Sequence, residues 1–261
     1  MHYEFIQVAN TNRVTTILLN RPDVLNAINP QMHEELEHAF NAFAQDDQQF
    51  LCVVKGAGDR AFCAGSDLKS IAFADKRQGY PEHGYAGLIE RYDLNKPIIA
   101  AVDGFALGGG FEVALACDII IATERSSFGL PEPLVGAVAL GGGVHRLARQ
   151  IGLKQAMGMV LTADRVSADE GHRLGFVNEV VSVEGFERAV EDWCERILRC
   201  APLSLAASKE SIMQGLDEPS FADAMRNQEQ YPAFYQWKRS ADAIEGPKAF
   251  AEKRTPNWTG T

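Results

Sequence analysis

Two glutamates flank a glycine-rich stretch of this chain, and carboxylates in such a setting can transfer protons. Glu112 ends the segment GFALGGGFE, and Glu132 follows 20 residues later in SFGLPEPL. A third element, FCAGSDLK, lies upstream at residues 62–69. Two acid/base carboxylates and two tight backbone turns are the groups needed to add or remove water beside an activated carbonyl.

The glycines at residues 108–110 precede an apolar helical segment, so their backbone N–H groups could stabilise negative charge on a carbonyl oxygen. Each such donor lowers a barrier by roughly 3–4 kcal/mol, and the turn at residues 64–66 could supply a second one. Glycines before a helix often serve tight packing only. A dinucleotide fingerprint GxGxxG is excluded, because a pattern that starts at Gly108 ends at Val113.

Burial would raise the pKa of Glu112, because its neighbours in the helical segment are apolar. Such a glutamate could instead cap a helix or pair with an arginine, and Glu132 could be an exposed loop acid between two prolines. The joint occurrence of both acids with the glycine turns favours an acid/base role. The glycines at 141–143 are a weaker candidate for another helix start near a ligand.

Alternating strand and helix patterns predict an α/β fold with crossover connections. Short apolar strands are expected at residues 14–19, 50–54, 98–102, 119–122 and 177–181, and helices at 29–43, 110–117, 154–161 and 168–174. From residue 186 onward the pattern is mainly helical, with one helix from Pro202 through Ile212 that the segment GLDEP is expected to break. We therefore predict an α/β core at residues 1–200 and a helical segment at 201–261. Residues 76–87 have a loop composition.

The composition limits the class of protein. With 261 residues, 46% hydrophobic and 23% charged, the chain is typical of a globular protein, and we expect a cytoplasmic location because no secretory signal or membrane-spanning run is visible. A net charge of −10 opposes nucleic-acid binding. Five cysteines without metal-ligand spacing favour neither a disulfide framework nor a metal site, and Cys52, Cys63 and Cys117, which lie in apolar contexts, are expected to be buried free thiols.

The order and spacing of several blocks resemble the crotonase, or enoyl-CoA hydratase/isomerase, superfamily. These blocks are LNRPDVLNAI, FCAGSDLK, AAVDGFALGGGFEVALACDIIIA, FGLPEPLVG and DAIEGPKAFAEKRTPNW, and they cover nearly the whole chain. GGGFE, KPIIAAV and the ending look most like the crotonobetainyl-CoA hydratase (carnitinyl-CoA dehydratase) branch. The resemblance implies a crotonase-like (ClpP/crotonase) spiral of repeated β-β-α units with a C-terminal helical trimerisation segment.

The resemblance also implies roles for single residues. The backbone amides of Ser66 and Gly109 would form an oxyanion hole for a thioester carbonyl. Glu112 would activate a water molecule for attack at the β carbon, and Glu132 would deliver a proton to the α carbon. We therefore expect an enoyl-CoA hydratase, a hydro-lyase without metal or redox cofactor that forms trimers or dimers of trimers. An isomerase and a non-catalytic acyl-CoA-binding subunit are the alternatives.

The family's coenzyme A contacts map onto two further groups of residues. The first group would surround the adenine and phosphates within a subunit and comprises Val24, Leu25, Ala64, Asp67, Leu68 and Lys69. The second group would reach the coenzyme A of a neighbouring subunit and comprises Phe234, Phe250 and Lys253. Helix packing is the competing interpretation for the two phenylalanines, and a solvated surface position for the two lysines.

The segment before the glycines at 141–143 departs from the family pattern. Leu140 stands where a polar group is expected, which indicates a more hydrophobic acyl group than a carnitine derivative. Ser66 also stands where a tryptophan or alanine is frequent, so we expect a different pocket shape.

Overall fold

Pairs of strands followed by a helix recur along the chain. The computed structural model describes residues 2–72 and 79–261. The strands are β1 Ile6–Thr11, β2 Val14–Leu19, β3 Leu51–Gly56, β4 Ala61–Cys63, β5 Ile98–Val102, β6 Phe105–Leu107, β7 Ile119–Thr123, β8 Ser127–Gly129, β9 Val166–Ser167 and β10 Glu179–Val181. The helices are α1 Pro30–Gln45, α2 Leu68–Ala72, α3 Gly109–Ala116, α4 Gly143–Ile151, α5 Leu153–Thr162, α6 Ala168–Leu174, α7 Phe186–Leu198, α8 Pro202–Asp217, α9 Phe221–Asn227, α10 Pro232–Lys238 and α11 Ala241–Glu252.

The strands form two sheets. The larger has the order β1-β2-β3-β5-β7-β10 and is parallel except for the β1-β2 hairpin. The smaller has the order β4-β6-β8-β9, in which only β9 is antiparallel. The chain alternates between the two sheets. In the successive pairs β3-β4, β5-β6 and β7-β8, the first strand lies in the larger sheet and the second in the smaller one, and helical structure follows each pair. The predicted α/β spiral of β-β-α units is confirmed.

The larger sheet is covered on both faces, which explains its apolar strands. Alternate residues of β3, β5 and β7 face α7, where they meet Phe186 and Val190. The residues between them face the main core with α1 and α3. Because successive strand side chains point to opposite faces, every residue in β5 is buried. The two-sided packing fixes the strand ends from which the loops of the candidate site emerge.

Local signals determine where the helices begin. Asn29 caps α1 by accepting a hydrogen bond from the Met32 amide at 2.8 Å, and Pro30 follows at the first helical position. Helix α3 begins one residue earlier than predicted, after Gly108, whose φ of 54° is a left-handed conformation that favours glycine.

The C-terminal part is helical, as the sequence predicts, and α8 ends inside the segment GLDEP, where the break is expected. Helix α8 continues through Gly215 to Asp217. A Cβ on Gly215 would lie 3.5 Å from Cβ of Ala224, an ordinary van der Waals distance, so this residue lies where α8 packs against α9. Of the predicted loop, residues 76–78 lie outside the described residues, and 85–87 form a 3-10 turn. No helix in the described ranges is long and apolar enough to span a bilayer.

Candidate active site

Glu112 lies inside the protein, on the first turns of α3, with only 3% of its surface exposed. Its Oε1 accepts a hydrogen bond from the Gly143 amide at 2.8 Å. A Cβ on Gly141 would lie 2.4 Å from its Oε2, so only glycine leaves room for the carboxylate there. The glycines at 141–143 therefore lie around the Glu112 carboxylate. They also begin helix α4, as the sequence indicates.

The pKa of Glu112 is raised to about 7, chiefly by burial and in part by the negative charge of Glu132. The hydrogen bond from Gly143 acts in the opposite direction because it stabilises the charged form. A carboxyl group with this pKa can give or take a proton at neutral pH.

Glu132 begins a short 3-10 turn that ends at Val135, directly after β8 and two connecting residues. Burial also raises the pKa of Glu132. Its Oε2 is buried and has no hydrogen-bond partner within residues 2–72 and 79–261. A Cβ on Gly108 would lie 3.0 Å from Oε1, so the carboxylate stands beside the turn that begins α3. Glu132 is half-buried and directed inward, which rules out the interpretation as an exposed loop acid.

The two amides assigned to an oxyanion hole come from separate segments that meet at Gly65. A Cβ on Gly65 would lie 3.0 Å from the Gly109 nitrogen, and the residue has a φ of 92°. Next to it, Ser66 forms a parallel bridge with Ile28, in which the Ile28 amide donates to the Gly65 oxygen at 2.8 Å. Within the described part of the chain, neither the Ser66 nor the Gly109 amide donates a hydrogen bond to a loop or side chain. Both N–H groups are therefore available to donate hydrogen bonds to a ligand oxygen.

Two segments among the first group of coenzyme A candidates lie together. The Ala64 amide donates to the Leu25 oxygen at 3.0 Å, which joins the turn after β2 to the loop after β4. Asp67 forms an ion pair with Arg21 at 3.0 Å and so reinforces the same contact. Val24 and Leu68 expose large apolar side chains, and Lys69 is exposed as well. This surface has the mixture of apolar and cationic groups that a nucleotide-bearing ligand needs.

The second group of coenzyme A candidates lies on the C-terminal helices. Phe234 packs edge-on against Trp237, with ring centroids 5.2 Å apart. Phe250 is 87% exposed near the end of α11, and Lys253 follows it with a left-handed φ of 53°. No contact in the described ranges connects these three side chains to the carboxylate pair. They are placed where a second molecule could reach them.

Two residues near the carboxylates were not singled out from the sequence. Tyr85 is fully buried, and the Ser66 hydroxyl donates to its Oη at 3.3 Å. Arg146 on α4 donates to the Ile89 oxygen at 2.7 Å, and its charge lowers the pKa of Glu112 slightly. Tyr85 lies within the segment of loop composition at residues 76–87 and belongs to no recognisable motif, so no pattern in the sequence connects it to the site.

Comparison with known proteins identifies the family. A family profile described as enoyl-CoA hydratase/isomerase matches residues 9–261. The carnitinyl-CoA dehydratase of Proteus mirabilis is 39% identical, over 98% of this chain and 98% of its own. That of Salmonella typhi is 38% identical, over 98% and 99% of the two chains. The chain belongs to the enoyl-CoA hydratase/isomerase family, and the predictions of an enzyme of this family and of its similarity to the carnitinyl-CoA dehydratase branch are confirmed.

Solved structures agree with the fold. An enoyl-CoA hydratase from Mycobacterium tuberculosis H37Rv superposes with a TM-score of 0.91 at 36% identity, over 98% of this chain and 99% of its own. An enoyl-CoA hydratase from Bacillus anthracis gives 0.90 at 34% identity, over 99% and 100%. The crotonase fold thus extends over the whole described chain.

Proposed function

We propose that this enzyme reversibly adds water across the 2,3 double bond of a 2-enoyl-CoA thioester. The observation that carries this proposal is the pair of inward-facing carboxylates, Glu112 and Glu132, both with raised pKa values. The charge of Glu132 contributes to the raised pKa of Glu112, which supports a reaction in which both carboxylates act on one water molecule. With a pKa of about 7, the Glu112 carboxyl group can exchange protons readily near neutral pH.

In the proposed reaction the thioester carbonyl oxygen accepts hydrogen bonds from the Ser66 and Gly109 amides. As the oxygen of water forms a bond to the β carbon, Glu112 takes a proton from that water and the double-bond electrons move toward the carbonyl. Glu132 then gives a proton to the α carbon as the electrons return from the oxygen, and the proton that Glu112 took must pass to Glu132 before the next turnover. The two amides stabilise the charge that develops on that oxygen, and each contributes roughly 3–4 kcal/mol.

No electron is lost or gained overall, so the proposed reaction needs no redox cofactor, and the amides supply the polarisation for which some enzymes use a metal. Coenzyme A is part of the substrate in this scheme. It would lie along the surface of Val24, Leu25, Ala64, Asp67, Leu68 and Lys69.

Oxygen labelling tests the reaction type. We expect 2-butenoyl-CoA incubated in H₂¹⁸O with the enzyme to acquire one ¹⁸O at the β carbon, and Glu112→Gln to abolish the incorporation. Butanoyl-CoA, which has no double bond, serves as the control and should remain unlabelled. Movement of a double bond without ¹⁸O would show an isomerase instead. Binding of a panel of enoyl-CoA thioesters without any turnover would show a non-catalytic subunit.

The acyl group is proposed to be more hydrophobic than a carnitine derivative, although the similar proteins are named carnitinyl-CoA dehydratases. Leu140 is 76% exposed and immediately precedes Gly141, which contacts the Glu112 carboxylate. Val138 nearby is exposed too. Turnover of enoyl-CoA thioesters that differ in length, branching and charge tests this: we expect uncharged aliphatic acyl groups to have the higher kcat/KM. A preference for a trimethylammonium acyl group would contradict it.

We also propose that residues 201–261 assemble the enzyme into a trimer or a dimer of trimers and cover coenzyme A bound to a neighbouring subunit. The helices of this segment expose a series of large apolar side chains, which marks an interaction surface. They are Ile212, Met213, Leu216, Phe221, Met225, Ile244 and Phe250. Light scattering should give three or six times the chain mass of 28.6 kDa. A cytoplasmic location stays a prediction.

A further inference from the structure

Tyr85 contacts both residues whose amides are assigned to the oxyanion hole. Its Oη accepts a hydrogen bond from the Ser66 hydroxyl at 3.3 Å. A Cβ on Gly109 would lie 2.3 Å from both Cζ and Oη of Tyr85, so the end of the tyrosine ring occupies the space beside the Gly109 Cα. One side chain therefore spans the two segments that supply the amides.

The segment that carries Tyr85 is held firmly against α1. The Ala86 amide donates to Nδ1 of His33 at 2.9 Å, and burial lowers the pKa of His33 to about 4, so the imidazole is neutral and can accept. A Cβ on Gly87 would lie 2.4 Å from the Glu37 Cα, so the backbones touch there. The backbone on either side of Tyr85 is thereby fixed relative to α1.

The ring of Tyr85 is held from the side as well. His33 packs edge-on against it with ring centroids 4.6 Å apart, and Tyr80 does so at 5.3 Å. Burial raises the pKa of Tyr85, so its phenol stays protonated at neutral pH. The hydroxyl is therefore a neutral, immobile group beside two amides that need a fixed separation.

We propose that Tyr85 is a positioning residue that sets the separation of the Ser66 and Gly109 amides. The inference rests on the proposed function, because it assigns those amides to a thioester carbonyl. Ser66 comes from the loop after β4, and Gly109 begins α3. The two segments pack on each other at Gly65, and Tyr85 adds a side chain that contacts both of them. Small displacements of an oxyanion donor weaken the stabilisation of the developing charge, so this additional contact matters for the separation of the two amides.

The test compares Tyr85→Phe, Ser66→Ala and the double variant. Tyr85→Phe keeps the ring and removes the hydroxyl, while Ser66→Ala keeps the amide. We expect each to lower kcat about three- to tenfold, the loss that one neutral hydrogen bond produces, with KM within about twofold of wild type. The double variant should be no worse than either single variant, because both remove the same contact. The matched control is Tyr92→Phe, which removes the hydroxyl of an exposed tyrosine and should leave kcat unchanged.

A second measurement separates this proposal from the proposed function. Infrared spectra of bound butanoyl-CoA labelled with ¹³C at the carbonyl measure the geometry of the oxyanion hole without turnover. Hydrogen bonds to the thioester oxygen lower the stretching frequency of the carbonyl group. We expect a lowered frequency in wild type and a smaller shift in Tyr85→Phe. A normal shift in Tyr85→Phe, or losses in kcat that multiply in the double variant, would overturn the role of Tyr85 alone. If the carbonyl frequency of bound butanoyl-CoA is not lowered in wild type, the Ser66 and Gly109 amides do not form an oxyanion hole. That result would contradict the proposed function itself.

Discussion

Glu112 and Glu132 do the same kind of chemistry in the proposed reaction, but they are held in different ways. Glu112 lies in a regular helix, accepts a hydrogen bond from Gly143 and is enclosed by glycines that leave room only for its carboxylate. Glu132 begins a one-turn 3-10 segment, and one of its oxygens is buried without a partner in the described chain. The helix and the Gly143 amide thus fix the Glu112 carboxylate, whereas Glu132 keeps one oxygen available to a proton or a water molecule.

The largest effect should come from removing either charge. We expect Glu112→Gln and Glu132→Gln each to lower the hydration rate by about 10²–10⁴, the contribution of a positioned acid/base group. Affinity for butanoyl-CoA, measured by calorimetry, should stay within a few-fold of wild type, because neither group is assigned to binding. Near-normal turnover by one variant would show that the two carboxylates are unequal in function as well as in setting.

A smaller loss should follow when the enclosure of Glu112 is filled. Gly141→Ala places a Cβ 2.4 Å from Oε2 of Glu112, and the carboxylate, as the flexible partner, must move. We expect kcat to fall about 10- to 100-fold, since a displacement near 1 Å costs up to about 10². Gly158→Ala, at a helical glycine with open space around it, is the matched control and should keep full activity. Equal activity of the two variants would remove the argument for a tight enclosure.

The pH profile should show that the two acids share a proton. Each proposed step needs one protonated and one charged carboxyl group, and burial raises the pKa of Glu112 to about 7. As the pH rises through about 7 the pair loses its last proton, so kcat/KM should decline there. Because hydration consumes no net proton, kcat/KM for the reverse reaction must fall in parallel. A rate that rises steadily from pH 6 to 9 is incompatible with a shared proton.

The smallest effect concerns stability. The pKa of Glu112 is raised in the folded state, so its contribution to stability is fully present below the unfolded value near 4.5 and is lost as the pH rises through about 7. Glu112→Gln should therefore gain about 1–3 kcal/mol in unfolding free energy relative to wild type when the pH goes from 5 to 8. Urea unfolding at both pH values measures this, and Glu132→Gln should gain less. An equal gain for the two variants would contradict the deeper burial of Glu112.

Sequence patterns predict the part of the site that depends on local signals. The turn at Gly108 and the helix with Glu112 follow from glycines before an apolar run, and the order of the blocks identifies the family. The half-buried, inward-directed position of Glu132 could not be predicted, because the prolines beside it are equally typical of an exposed loop. Tyr85 was missed for a related reason: its contacts with Ser66 and Gly109 are made between segments distant in sequence, and no local pattern records them.

The central claim is that Glu112 and Glu132 act together on one water molecule, and a double-variant cycle tests it most directly. Hydration rates of 2-butenoyl-CoA are compared for wild type, Glu112→Gln, Glu132→Gln and the double variant. Groups that act as a unit are strongly non-additive, so we predict that the double variant is at most about tenfold slower than the slower single variant. A double variant whose loss equals the product of the two single losses would contradict the claim, because each carboxylate would then act independently.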